Sequence, residues 1–177
     1  MTPVLTLEPF TTPDIDRLIS WIPDAATLLQ WAGPGLSWPL TRPQFERDLA
    51  SLKPNGPHVM LKAKNSSGEV VGHVEIKAID RTHSNAMLGR IMVSPTHRGQ
   101  ALALPLVNAA LQICFADLAL HRVGLRVFSH NAPAIACYKR AGFTIEGNER
   151  HTKRAPDGTW WDSCTMAILE EEWQSLK

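Results

Sequence analysis

The segment Val93-Ser94-Pro95-Thr96-His97-Arg98-Gly99-Gln100-Ala101-Leu102-Ala103 joins two differently patterned parts of the chain. An apolar strand ends at Val93, a proline turn follows, and a loop of small residues leads into an apolar helix over Gln100–Leu118. Free N–H groups at a helix N-terminus, with the helix dipole behind them, bind phosphate oxygens. Gly99, Ala101 and Ala103 keep side chains out of the way of a pyrophosphate, and Arg98 and Gln100 add donors. The stretch is neither a P-loop nor a dinucleotide fingerprint. Alone, such a loop is read more readily as tight packing than as an anion site.

Outward from this loop the hydrophobic period changes. Upstream, His58–Lys64, Val70–Ile79 and Ala86–Val93 alternate as strands, and the turns between them are too short for a crossover helix, so they form an antiparallel meander. Downstream the chain reads strand Arg122–Phe128, helix Asn131–Ala141, strand Phe143–Glu149, a turn at Asp157-Gly158, and strand Trp160–Leu169. Helices following strands imply at least one parallel pair in a mixed sheet. The first part adds a strand at Val4–Glu8 and a helix opened by Thr12-Pro13-Asp14 and running through Leu18 toward Trp21. A short helix at Asp24–Trp31, a Gly/Pro loop over 32–39 and a helix at Thr41–Leu52 complete it. The fold class is α/β (α+β), with the meander first.

The chain has 177 residues, net charge +1, 44% hydrophobic and 20% charged residues, with no linker or repeat, so residues 1–177 read as a single domain. That composition excludes a disordered tail, and the near-neutral charge excludes a broad nucleic-acid surface. Three cysteines, Cys114, Cys137 and Cys164, are too few for a disulfide framework and read as reduced thiols of a cytoplasmic protein. Residues 1–10 carry no secretory pattern. The apolar run Ala101–Leu120 contains Pro105, Asn108, Gln112 and Asp117, which argues for a helix packed on a sheet and against a membrane span. Seven histidines include no i, i+4 pair on a helix, so no metal is expected.

The loop resembles the coenzyme A loop of the GNAT N-acetyltransferase superfamily, Gln/Arg-x-x-Gly-x-Gly/Ala, with Arg98 first and Ala103 last; Ala101 stands where the family usually has glycine. A second match follows: Asn131-Ala132-Pro133-Ala134-Ile135-Ala136-Cys137-Tyr138, then Ala141-Gly142-Phe143, similar to the family's Asn-x-x-Ala-x-x-x-Tyr helix and Gly-Phe exit. The resemblance covers roughly 70–168, and its opening is similar to the branch that acetylates ribosomal-protein N-termini. It implies a mixed, mostly antiparallel central sheet, helices on both faces and a splayed strand at the cofactor site.

It also implies roles. Ile91, Met92 and Val93 on the splayed strand would pair with the pantetheine arm, and Arg98, Gly99, Gln100, Ala101, Leu102 and Ala103 would hold the pyrophosphate of acetyl-CoA. Asn131 would touch the cofactor or only cap its helix. Tyr138 would protonate the departing thiolate, against the reading of a buried aromatic. For a base the resemblance offers a carboxylate on the strand before the loop, and Asn85–Val93 has none. On the preceding strand Glu75 is the candidate and His73 the next, with a water relay as the remaining route; the competing reading is that His73, Glu75 and Lys77 share a solvated face. Cys137 is turned about 100° from Tyr138, which argues against a covalent thiol intermediate.

The implied function is acetyl-CoA-dependent N-acetyl transfer to a primary amine, a small molecule or a protein N-terminus, by direct attack. The alternative is a non-catalytic coenzyme A-binding sensor or interaction module. The cluster Arg150–Arg154 reads as a solvated hairpin, Trp21, Trp31 and Trp38 as core or cleft-lining aromatics, and an edge strand near Trp160 could pair with a second copy as a homodimer.

Overall fold

Alternating apolar residues and short turns produce the expected meander, and it extends into a seven-stranded sheet. The computed structural model describes residues 4–176, so sequence readings that touch residues 1–3 and 177 lie outside the described residues. The strands are β1 (Thr6–Pro9), β2 (Val59–Lys64), β3 (Val70–Asp80), β4 (Asn85–Val93), β5 (Arg122–Phe128), β6 (Thr144–Arg154) and β7 (Trp160–Leu169), in spatial order β1-β2-β3-β4-β5-β7-β6. Among the described residues only β4 and β5 run parallel. The reason is the helix between them: α4 (Ala103–Gln112) carries the chain back across the sheet, as a parallel connection requires.

Two cores form, one on each face. Leu106, Val107, Ala110 and Leu111 of α4 bury against Val74, Leu88, Val123 and Leu125. On the other face α1 (Ile15–Ser20), α2 (Ala25–Ala32) and α3 (Arg42–Ser51) pack through Ile15, Leu18, Leu28, Trp31 and Phe45 onto Met60 and Met92. Asp24 caps α2, its Oδ1 accepting from the Thr27 N–H at 2.7 Å. The Gly/Pro loop over 32–39 is held from α3 by the buried Gln44, whose Nε2 donates to the carbonyls of Ser37 and Pro39 at 3.0 Å.

Several boundaries differ from the sequence expectations. The predicted helix over Gln100–Leu118 starts at Ala103, because Gly99 (φ 79°) and Ala101 (φ 57°) take left-handed backbone. It ends in a π-helical segment, Ile113–Asp117. The helix expected from Thr12 begins as a tight turn over Thr12–Asp14, with α1 following. The strand expected to stop at Glu149 continues to Arg154, so the basic cluster lies on the β6 arm of the β6–β7 hairpin. That makes β6, not the Trp160 strand, the sheet edge on this side. The helices α5 (Ala132–Arg140) and α6 (Glu170–Ser175) follow β5 and β7, and α6 was not anticipated.

Candidate active site

The parallel pairing of β4 with β5 stops at Leu88 opposite Leu125, although β4 continues to Val93 and β5 to Phe128. Beyond that point the strands part. The far edge of β4 stays paired to β3, with Gly72 opposite Val93 and His73 opposite Met92. The near edge of Gly89–Val93 therefore has no strand partner, and a row of peptide N–H and C=O groups faces the gap. A cavity of about 430 Å³ fills it, and Ile91, Met92 and Val93 form one wall.

The α4 loop closes one end. Ser94 Oγ lies 2.9 Å from His97 Nδ1, and His97 Nε2 lies 3.2 Å from Glu69, so the turn before the loop is pinned to the sheet. Arg98 and Ala103 line the cavity, while Gly99, Gln100 and Ala101 are exposed beside it. A Cβ on Gly99 would meet nothing within 4 Å among the described residues. Leu102 is the exception among the expected loop contacts: its side chain is buried in the core, which leaves its backbone as the only part able to face a phosphate. Pro105, in the first turn of α4, supplies no N–H, so the donors there are those of the loop, Ala103 and Leu104.

The opposite wall comes from α5. Asn131 lines the cavity and caps α5, its Oδ1 accepting from the Ala134 N–H at 3.3 Å, so both readings of Asn131 are compatible. Tyr138 lines the cavity two turns later and packs on Phe143 at 5.9 Å between ring centroids. Burial, then the neighbouring Cys137, pushes its phenol well above the usual value, so it is a protonated O–H donor at neutral pH. Cys137 also lines the cavity, which corrects the expectation that the helix period turns it away. Burial raises its thiol, however, which disfavours the thiolate a covalent route needs.

The expected base is placed differently. Glu75 is fully buried, with 0% exposure, and the cavity wall includes neither Glu75 nor His73. The solvated-face reading fails for these two residues because α1–α3 cover that face of the sheet. Glu75 accepts from His58 Nε2 at 3.0 Å, His73 Nε2 at 3.2 Å and Arg90 Nη1 at 3.2 Å, with Lys77 Nζ at 3.0 Å. Burial by itself would push this carboxyl up; the hydrogen bonds from His58 and His73 and the Arg90 charge overcome that and hold it well below the usual carboxylate range. A carboxylate so placed is a poor proton acceptor near neutral pH. Burial likewise lowers His73, which stays neutral. In this geometry Glu75 anchors Arg90 together with His58, His73 and Lys77.

Arg90 is a residue that the sequence reading missed. A bulge sets it: His73 faces Met92 and Glu75 faces Gly89, so Arg90 and Ile91 together oppose Val74, and Arg90 takes φ 46°. Its guanidinium reaches Asp48 on α3 at 2.8 Å and lies 5.9 Å from the Trp31 ring centroid. Arg90, Trp31, Thr27 and Gln30 form the cavity wall under α2, with Arg126 of β5 beside them. Arg90 and Arg126, each between apolar residues of the two strands flanking the gap, were the available signal. Trp21 and Trp31 are buried and Trp38 is 46% exposed, in line with core packing for two of them. Among the described residues no group of three or more His, Cys, Asp or Glu side chains could hold a metal ion, and no helix is long and apolar enough to cross a membrane.

Comparison with known proteins places this geometry. Residues 25–143 match the Acetyltransferase (GNAT) family. The chain is similar to a spermidine N(1)-acetyltransferase of Vibrio cholerae serotype O1, 33% identical over 85 residues that cover 48% of this chain and 49% of that protein. It is also similar to an L-amino acid N-acetyltransferase of Escherichia coli K12, 36% identical over 105 residues, 58% of this chain and 64% of that one. The chain thus spans about half to two thirds of the length of the curated relatives it matches. The crystal structure of a Vibrio cholerae spermidine N-acetyltransferase in complex with CoA and spermine superposes with TM-score 0.85 at 22% identity, covering 96% of this chain and 98% of that one, a likeness of fold. A family match over more than half of the sequence, carried by a parted strand pair, a small-residue helix start and a cavity-facing tyrosine, establishes that this chain belongs to the GNAT family of acetyltransferases.

Proposed function

We propose that the protein, read as one acetyltransferase domain over 1–177, transfers the acetyl group of acetyl-CoA to a primary amine by direct attack. The observation that carries this reading is the unpaired edge of Gly89–Val93 opening onto the same cavity as Arg98, Asn131 and Tyr138. Those residues fit the cosubstrate: strand amides for the pantetheine arm, Arg98 and the loop N–H groups for the pyrophosphate, and a β4 N–H as donor to the thioester oxygen. In the reaction the amine nitrogen bonds to the acetyl carbon, the C–S bond breaks, and Tyr138 O–H gives its proton to the thiolate and regains one from solvent. Because the cavity wall holds no Asp, Glu or His among the described residues, the amine sheds its protons to water rather than to Glu75.

The same lack of a wall base supports the second reading, a non-catalytic coenzyme A-binding module. Release of free thiol from acetyl-CoA, followed with and without added amine, separates the two. Amine-dependent release is expected; binding of acetyl-CoA with no such release would leave only the module. Acceptors within the proposal are small-molecule amines and protein N-termini, the latter being the ribosomal-protein branch's chemistry. We place the protein in the cytoplasm on the strength of its free cysteines. The exposed β6 edge, with Ile145 at 38% exposure, supports a homodimer, which sedimentation would test.

A further inference from the structure

The part of the cavity under α2 has a one-sided chemistry. Its polar side chains are those of Thr27, Gln30, Trp31, Arg90 and Arg126. Arginine and tryptophan side chains carry donors and no acceptor. The Gln30 Oε1 meets His130 Nε2 at 3.0 Å, so the amide end not engaged by His130 is its NH₂. Among the described residues Trp31 Nε1 and Arg90 Nε are buried with no acceptor, a state that buried donors rarely keep without a functional reason. The wall is rich in donors and short of acceptors.

The two arginines differ in how their charge is used. Arg90 is neutralised from behind by Glu75 at 3.2 Å and Asp48 at 2.8 Å. Arg126 has an ion pair through Nη2 to Glu149 at 2.9 Å, and the two side chains are 55% and 40% exposed. Such an exposed pair is weak and exchangeable. The planar guanidinium fork suits a carboxylate, which it can meet through two parallel hydrogen bonds. A polycation entering here would face guanidinium groups with no carboxylate on the wall, an unfavourable juxtaposition.

We infer that the acceptor is an amine that also carries a carboxylate, held by Arg126 under α2, and that polyamines are rejected. This rests on the acetyl-transfer reading and names the substrate class for it. Arg126 orients the acceptor by its carboxylate so that its amine faces the β4 edge, while Arg90 and Trp31 present the donor-only floor.

The test is thiol release from acetyl-CoA by the full chain with three acceptor sets: L-amino acids, their carboxamides, and spermidine. The α-amine of a carboxamide is less basic and more often neutral, so intrinsic reactivity at neutral pH favours the amide, and a preference for the acid reads recognition. We expect kcat/KM for the acids to exceed that for the amides by roughly 10- to 100-fold, the range for a charge-assisted hydrogen bond. Arg126→Met should abolish that preference, through KM more than kcat, and Arg126→Lys should keep part of it. Equal or better turnover of amides or spermidine by the wild-type chain overturns the inference while leaving acetyl transfer standing, as does an undiminished preference in Arg126→Met. Acetyl-CoA binding with no thiol release for any amine overturns the transfer reading and this inference with it.

Discussion

At Tyr138 one hydroxyl separates a packing role from a chemical one. Tyr138→Phe keeps the ring on Phe143 and removes only the O–H, so melting temperature and acetyl-CoA affinity should hardly move. Turnover should fall by about 10²-fold, the lower part of the general-acid range, because a thiolate leaves tolerably without a proton. Normal turnover in the folded variant would reduce Tyr138 to a wall residue. Glu75 presents the opposite pattern. Glu75→Gln leaves Arg90 and Lys77 facing an uncharged amide in a buried site, and we expect a loss of about 3 kcal/mol, or roughly 10 °C in Tm for a chain of this size. The alkaline rise of rate should keep its shape, since the acceptor amine and not Glu75 sets it. A flattened pH profile at unchanged stability would return the base role to Glu75.

The decisive element is the loop that starts α4. Ala101 sits at φ 57°, which costs a residue with a Cβ about 1–2 kcal/mol relative to glycine. Ala101→Gly removes that strain and loosens the unfolded chain, so a net gain of roughly 1 kcal/mol is expected in urea denaturation. No gain, or a loss, would mean that the loop relaxes around alanine. Gly99 also takes φ 79° and faces open space, so Gly99→Glu should fold with modest strain yet weaken acetyl-CoA binding strongly, by placing a negative charge beside the loop donors. Calorimetry with unchanged affinity would remove the loop from the site.

Over the whole molecule, three buried titrating groups share one direction. The Asp14 carboxyl, pushed up by burial but pulled down further by hydrogen bonds from Lys62, Thr11 and Arg17, sits at about 2 instead of 3.8. A depressed carboxyl contributes stability above its unfolded value and loses it as pH falls through the folded one, so Asp14 should cost about 2 kcal/mol between pH 4 and 2. Glu75 adds to the loss below its usual 4.5, and His73, kept neutral by burial, begins it below 6.5. Urea unfolding should therefore show a plateau above pH 7 and a steady decline below it. Stability that stays level from pH 7 to 3 would contradict the buried network.

Local rules made much of this protein legible in its sequence. Period-two alternation and turns too short for a crossover set the meander; proline, glycine and capping residues set most helix starts; and two spaced motifs that line one cavity pointed to the family. These signals are carried by neighbours along the chain, so a sequence displays them. Tertiary structure alone decided the rest. It covered the His73–Glu75 face with α1–α3 and so turned an expected base into the anchor of an arginine. It parted β4 from β5, swung Arg90 inward at a bulge, and brought Thr27 and Gln30 within one cavity with Arg126, about a hundred positions away. Burial and charge pairing depend on which distant segments meet, and a carboxylate's chemistry follows from those neighbours rather than from its place in a strand.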